Sequence, residues 1–221
     1  MNGKDASGLP LGIQLLQEMR EDIIGGRLLP GTALVESELV RAYNASRNTI
    51  REALHQLDRE GLATYVRHKG VMVRRLGLAE VRDIFQVRRT LEVQAILSSR
   101  PLREYQSDRM LDALEAADLA QSREDWRAFG THGLHFHQHI VGLLRSPLFD
   151  EFFANVAAQM RLLFSIAPDE EHFQRPWLAR DRQIHDLLSA GRLQAAAEAM
   201  ASYLDDSENR LLDLLSAAKP H

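Results

Sequence analysis

Residues 31–75 read GTALVESELVRAYNASRNTIREALHQLDREGLATYVRHKGVMVRR. The pattern predicts two short helices joined by a tight turn, then a β-hairpin with a basic tip: a winged helix-turn-helix. The first helix is expected over Glu36–Tyr43. The second opens at Ser46, whose hydroxyl can accept a backbone N–H of the first turn, runs from Arg47 to Glu60 and stops at Gly61. Ile50, Leu54 and Leu57 fall at helical spacing and face the core. Arg47, Asn48 and Arg51 are left at the N-terminal end of the opposite side, the end that meets base edges in a helix-turn-helix.

Arg47 and Arg51 are the expected base or phosphate contacts, because the guanidinium fork matches both the guanine edge and phosphate oxygens. Ser46 and Asn48 suit phosphate positioning. The hairpin is predicted to run out over Leu62–Val66 and back over Val71–Val73. Arg67, His68, Lys69 and Gly70 form its tip, where glycine permits the turn and the basic side chains can grip a neighbouring groove. For Arg59, Arg74 and Arg75 solvation is as good an account as contact. Upstream, Ile13, Leu16, Met19, Ile23 and Ile24 make Leu11–Ile24 an amphipathic helix that buttresses the reading head.

Charge is distributed to match. The chain carries 27 Lys+Arg and 31 Asp+Glu in 221 residues. Of these, 11 basic and 9 acidic residues lie up to Arg75, leaving 16 and 22 beyond it, a balance of +2 against −6. Ser46–Arg75 alone holds 7 basic and 3 acidic residues. A basic patch on an acidic protein suits phosphate contact by one domain only. There is no cysteine, which excludes disulfides and thiolate metal sites and is compatible with a reducing cytoplasm. No apolar run approaches the roughly 18–20 residues of a membrane span, and no signal peptide is evident. A cytoplasmic protein with no membrane partner is expected.

Pro30-Gly31, Leu34, Glu36, Glu38-Leu39, Ser46-Arg47, Arg51-Glu52-Ala53-Leu54, Leu57, Glu60-Gly61-Leu62 and Gly70 together resemble the DNA-binding domain of GntR-family bacterial transcription regulators. Asn48-Thr49 stands where many members have Thr-Pro, a departure that bears on base preference. The resemblance implies a repressor or activator that binds a short palindromic double-stranded DNA operator as a homodimer.

After Gly77 the pattern is helical almost throughout. Helices are predicted near 78–99, 104–121, 124–144, 147–165, 176–190 and 192–217, with short links marked by Pro101, Pro147, Pro168, Pro176 and Gly191. Such a run packs as an antiparallel bundle. The fold class is therefore mainly α: a winged helix-turn-helix domain over 9–75 with a small hairpin wing, then an all-α bundle over 78–217. Residues 1–8 and 218–221 are expected to fray. Val87-Arg88 with Leu91-Glu92, Phe136-His137 with Ile140 and Pro147, and then Ile184, Gly191, Ala196, Met200 and Leu204 resemble the FCD ligand-binding domain of the FadR subgroup. This implies a bundle with a central cavity for a small, usually carboxylate-bearing effector, often with a divalent metal.

Three positions depart from that pattern. Gly133 stands where the resemblance places an Asp ligand, and Asp181 and Tyr203 stand where it places His ligands. His137 alone remains of the four. One imidazole plus one carboxylate holds Zn²⁺ or Ni²⁺ weakly, so no tightly held metal or other cofactor is expected, with His137 and Asp181 as weak candidate ligands. His132, His135 and His139 share another face of their helix and read as solvated surface or dimer contact.

Polar groups on apolar faces mark the candidate effector site. Arg88 and Glu92 fall among Val81, Phe85, Ala95 and Ile96, while Asp181 falls among Trp177, Ile184 and Leu188 with His185 at i+4. Buried charges need partners. In one reading Arg88–Glu92 and Asp181–His185 pair internally and serve packing. In the other, Arg88, His137 and Arg161 hold an effector carboxylate while Asp181 orients His137 or accepts an effector hydroxyl. Leu148, Phe149, Phe152, Phe153, Val156, Met160, Leu163 and Phe164 form a stripe assigned to the core, with any surplus available for a dimer contact.

These features favour an effector-controlled DNA-binding regulator, a repressor as first expectation. An architectural DNA binder with a purely dimerising helical domain is the alternative. An enzyme localised by its first domain is disfavoured, because no nucleophile elbow, phosphate loop or HExxH appears.

Overall fold

The computed structural model describes residues 10–165 and 170–217; the terminal stretches expected to fray lie outside them. Two compact units divide between Arg75 and Leu76.

The first unit contains α1 (Leu11–Ile24), α2 (Glu36–Ala42), α3 (Arg47–Arg59), β1 (Ala63–Val66) and β2 (Gly70–Val73). Leu15, Met19 and Ile23 of α1 and Ile50, Ala53, Leu54 and Leu57 of α3 are buried at helical spacing where the two helices pack together. Ile13, expected on that face, is 45% exposed, and Leu15 takes the inward position instead. Ser46 caps α3, its hydroxyl accepting the Thr49 N–H at 3.1 Å. Gly61 ends it with φ +73°, a left-handed conformation that glycine adopts without a Cβ penalty. Asn44 at φ +48° makes the turn between α2 and α3. Arg20 of α1 donates to the buried Glu60 at 2.9 Å, tying α1 to the end of α3.

β1 and β2 pair antiparallel, with Val66 opposite Gly70. The wing loop is therefore Arg67, His68 and Lys69, and Gly70 begins the returning strand rather than sitting in the tip. His68 at φ +66° and Gly70 at φ +80° supply the left-handed positions that a three-residue loop needs. A bridge from Ala33 to Met72 adds a short third segment that alternation in the sequence did not show.

In the second unit α4 (Leu78–Arg88), a π-helical turn (Arg89–Val93) and α5 (Gln94–Ser98) run on as one interrupted helix. They are followed by α6 (Glu104–Ser122), α7 (Trp126–Val141), α8 (Pro147–Phe164), α9 (Glu170–Gln174), α10 (Trp177–Ser189) and α11 (Leu193–Ala217). α7 packs against α6, α8, α9 and α10, and α11 against α4, α5 and α10. The short α9 lies in a stretch read as a connection, where five residues are too few for a periodic signal. The α8 stripe divides. Phe153, Val156, Met160, Leu163 and Phe164 are buried, whereas Leu148, Phe149 and Phe152 are 79%, 42% and 49% exposed and do not belong to the core. No helix among the described residues is long and apolar enough to cross a membrane.

Candidate functional site

On the first unit, Arg47, Asn48 and Arg51 are exposed on the first turns of α3, and Arg67, His68 and Lys69 are exposed at the wing tip. Several are already engaged. The Ser46 hydroxyl serves the helix cap and also bonds Thr49 Oγ1 at 2.8 Å. Asn48 donates to Glu52 at 2.8 Å. Arg51 donates from Nε to both carboxylate oxygens of Glu36 at 2.9 Å, and this pair holds the Glu36 carboxyl below its usual range. Glu36 was missed as a site residue. It lies fifteen positions upstream on another helix, and only the turn between α2 and α3 brings it to Arg51.

The second unit gathers its polar residues at one buried place. Arg88 ends α4 and Glu92 lies on the π-helical turn, and both are almost wholly buried. Arg88 Nε donates to Glu92 Oε1 at 2.7 Å, and Glu92 Oε2 lies 2.5 Å from His137 Nδ1 on α7. The other ring nitrogen, His137 Nε2, faces Asp181 Oδ1 of α10 at 3.5 Å, with no hydrogen bond formed. Arg88, Glu92, His137 and Asp181 thus form one chain of ionisable side chains drawn from three separate segments.

Burial pushes the Glu92 carboxyl up, but Arg88 and His137 outweigh it and hold the group below its ordinary value. Glu92 is then an ionised acceptor, so His137 Nδ1 carries the hydrogen and Nε2 presents a lone pair. Burial also lowers His137, offset only in part by Glu92, which keeps the imidazole neutral. Asp181 is raised well above its usual range by burial, with Arg88 a lesser, opposing influence. The Tyr203 phenol is raised for the same reason and stays protonated.

Arg88, Gly133, His137, Gln174, Asp181 and Tyr203 contribute to the wall of a narrow cavity of about 20 Å³, room for about one water molecule. Around it Arg88 Nη2, His137 Nε2, Gln174 Nε2 and Asp181 Oδ1 are buried without a hydrogen-bond partner among the described residues. The Arg88–Glu92 pair expected from the sequence forms. The Asp181–His185 pair does not, because His185 Nε2 turns to Ser107 Oγ at 3.1 Å. Arg161 is buried but lies outside the cavity wall; it pairs with Glu170 at 3.2 Å and lies over the Phe164 ring. Gln174 was not anticipated, since α9 itself was not. His132 and His135 sit with their rings 5.8 Å apart on the outer side of α7, away from His137.

The residues present do not fit a divalent metal. His137 Nε2 and Asp181 Oδ1 are the two available donors, Glu92 is occupied by Arg88 and His137, and the Tyr203 phenol is held protonated. Gly133 supplies nothing, and among the described residues no group of three His, Cys, Asp or Glu side chains is arranged to hold a metal ion.

Comparison with known proteins places these features. Residues 12–73 match the model for bacterial regulatory proteins of the gntR family, and residues 83–206 match the FCD domain. A solved GntR-type transcriptional regulator from Rhodococcus sp. RHA1 is 31% identical, with a TM-score of 0.86 over 95% of this chain and 99% of that one. The transcriptional repressor RspR of Escherichia coli K12 is 24% identical over 198 residues, 89% of this chain and 87% of the relative. The repressor GlaR of the same strain is 32% identical over 114 residues, 48% of this chain and 52% of the relative. These relatives are transcription regulators rather than enzymes. The winged helix-turn-helix followed by an FCD bundle, matched in sequence and in fold, makes this chain a member of the GntR family of bacterial transcriptional regulators.

Proposed function

We propose that this regulator belongs to the FadR subgroup and acts in the cytoplasm as a homodimeric repressor. Its affinity for a two-fold operator is set by a small carboxylate-bearing effector bound in the helical unit. Two copies are needed because a palindromic site presents successive major grooves about 34 Å apart to two recognition helices. Arg47 and Arg51 are the base or phosphate contacts. The Glu36 pair uses Nε of Arg51 and leaves the two terminal nitrogens of the fork for guanine or phosphate. Ser46, Asn48 and the wing residues Arg67, His68 and Lys69 grip the backbone, and Gly70 shapes the wing. The relatives named as repressors support the sense of regulation.

The observation that carries the effector reading is the set of four unpartnered polar atoms around one cavity. Buried polar groups are almost always satisfied, so a cluster of exceptions marks a place where another molecule completes the bonding. Arg88, His137 and Asp181 are the proposed effector contacts, and Arg161 supports the wall from behind Gly130 and Gln174. Because the cavity is small, an effector must displace its walls, and it shifts operator affinity only by preferring one arrangement over the other. The test is selection of operator fragments from genomic DNA at low salt, then gel-shift titration with and without compounds that raise the melting temperature. A compound that stabilises the protein should release the operator. If no fragment is retained preferentially, or if no compound alters retention, the proposal fails.

A further inference from the structure

The charges around the cavity do not match a simple acid. Arg88 is neutralised by Glu92, Arg161 by Glu170, and Arg180 is engaged by Asp206 at 2.7 Å. Asp181 is left as a buried carboxyl with no ion-pair partner among the described residues, beside a neutral imidazole. An organic acid entering here would meet no uncompensated cation and one carboxyl. The unpartnered atoms form two kinds. Arg88 Nη2 and Gln174 Nε2 are donors that require an acceptor, whereas His137 Nε2 and the ionised form of Asp181 Oδ1, 3.5 Å apart, are acceptors that require a donor. Gly133 leaves space beside them: a Cβ there would sit 3.8 Å from Asp181 Oδ2.

A ligand that satisfies both kinds carries an anionic acceptor and a cationic donor. We propose, resting on the effector reading above, that the effector is a small zwitterion of the α-amino-acid type bound without a metal ion. Its ammonium group lies between His137 Nε2 and Asp181 Oδ1, and its carboxylate lies on Arg88 Nη2 and Gln174 Nε2. The ammonium's charge compensates an ionised Asp181 as the ligand's carboxylate is desolvated.

The probes are the common L-amino acids, each beside the 2-hydroxy acid and the deaminated acid of the same side chain. They are applied to full-length protein dialysed against EDTA and read by thermal melting and calorimetric titration. At least one amino acid should bind about tenfold or more tightly than its deaminated analogue, since the analogue leaves two buried acceptors unmatched. Added Zn²⁺ should not improve binding, and Asp181→Asn should remove most of the preference for the amino compound while the protein stays folded. Equal binding of the deaminated acids, a requirement for a divalent ion, or no binding by any amino acid overturns the inference. In the first two cases the sensor reading survives. Only if no compound of any class, metal ions included, shifts melting or operator retention do both fail.

Discussion

Asp181→Asn should stabilise the ligand-free protein, although it replaces an acidic residue at the centre of a buried polar cluster. In the wild type, Asp181 Oδ1 and the bare Nε2 of His137 face each other at 3.5 Å with neither bonded. An asparagine amide at that place donates to Nε2 and removes the buried carboxylate. A neutral hydrogen bond is worth about 1 kcal/mol, and relief of an unsatisfied buried acceptor about 1–3 kcal/mol. The expected net gain is about 1–3 kcal/mol, which in a unit of this size raises the melting temperature by roughly 3–9 °C. Its pH dependence has a definite sign. A carboxyl raised well above 3.8 in the folded state contributes stability that is fully present below the unfolded value and is lost as pH rises through the folded value. The advantage of the variant is therefore greatest at neutral and alkaline pH and shrinks toward pH 4, where protonated Asp181 itself donates to His137. Thermal melts of both proteins across that range measure the difference. A variant that melts lower at neutral pH, or a gain that does not change with pH, would refute the reasoning.

Arg88→Ala should cost about 3–5 kcal/mol in urea unfolding, because it strands Glu92 in the core, whereas Arg88→Met combined with Glu92→Leu should recover most of the loss. Arg51→Ala should weaken operator binding about tenfold or more in a gel shift while leaving the melting temperature unchanged, since its partner Glu36 is an exposed surface residue. Gly133→Ala should raise the melting temperature slightly through helix propensity of about 0.5–1 kcal/mol. Gly130→Ala should lower it, because the new Cβ would fall 2.4 Å from Gln174 Nε2 and 2.8 Å from Arg161 Nη1. In the Asp181→Asn background, where the opposing carboxyl is absent, acidification from pH 8 to 5 should lower the melting temperature: His137 is held below 6.5 in the folded state, so its contribution is present above that value and lost as pH falls, and adding His137→Gln should flatten the slope.

The first unit was legible because its information is local. Ser46, Gly61 and the spacing of Ile50, Leu54 and Leu57 act within one helix, and the observed α3 differs from the expected span by one residue. The wing was legible as a hairpin, but its register was not. That required knowing that His68 accepts a left-handed φ, which moves Gly70 out of the loop and into the strand. Period alone also misassigned the N-terminal part of α8. Leu148, Phe149 and Phe152 follow a helical stripe, yet the stripe continues past the end of the surface it packs on.

The effector cavity shows the division most clearly. Sequence alone determined that Arg88, Glu92 and Asp181 would sit on apolar faces, because helical periodicity assigns each residue a side. It also showed that Gly133, Asp181 and Tyr203 stand where the resemblance implies metal ligands, because identity at a position is a property of the chain. Which buried charge meets which was decided only by the tertiary structure. Glu92 is forty-five residues from His137, and His137 bonds it rather than a nearer carboxylate because the π-helical turn and α7 bring the two side chains together. Asp181 passes over His185, four residues on and within helical reach, because His185 is drawn to Ser107 on α6. Desolvation makes every such choice exclusive: a buried group takes the partner that packing puts in reach, and spacing along a single helix does not encode what another helix will offer.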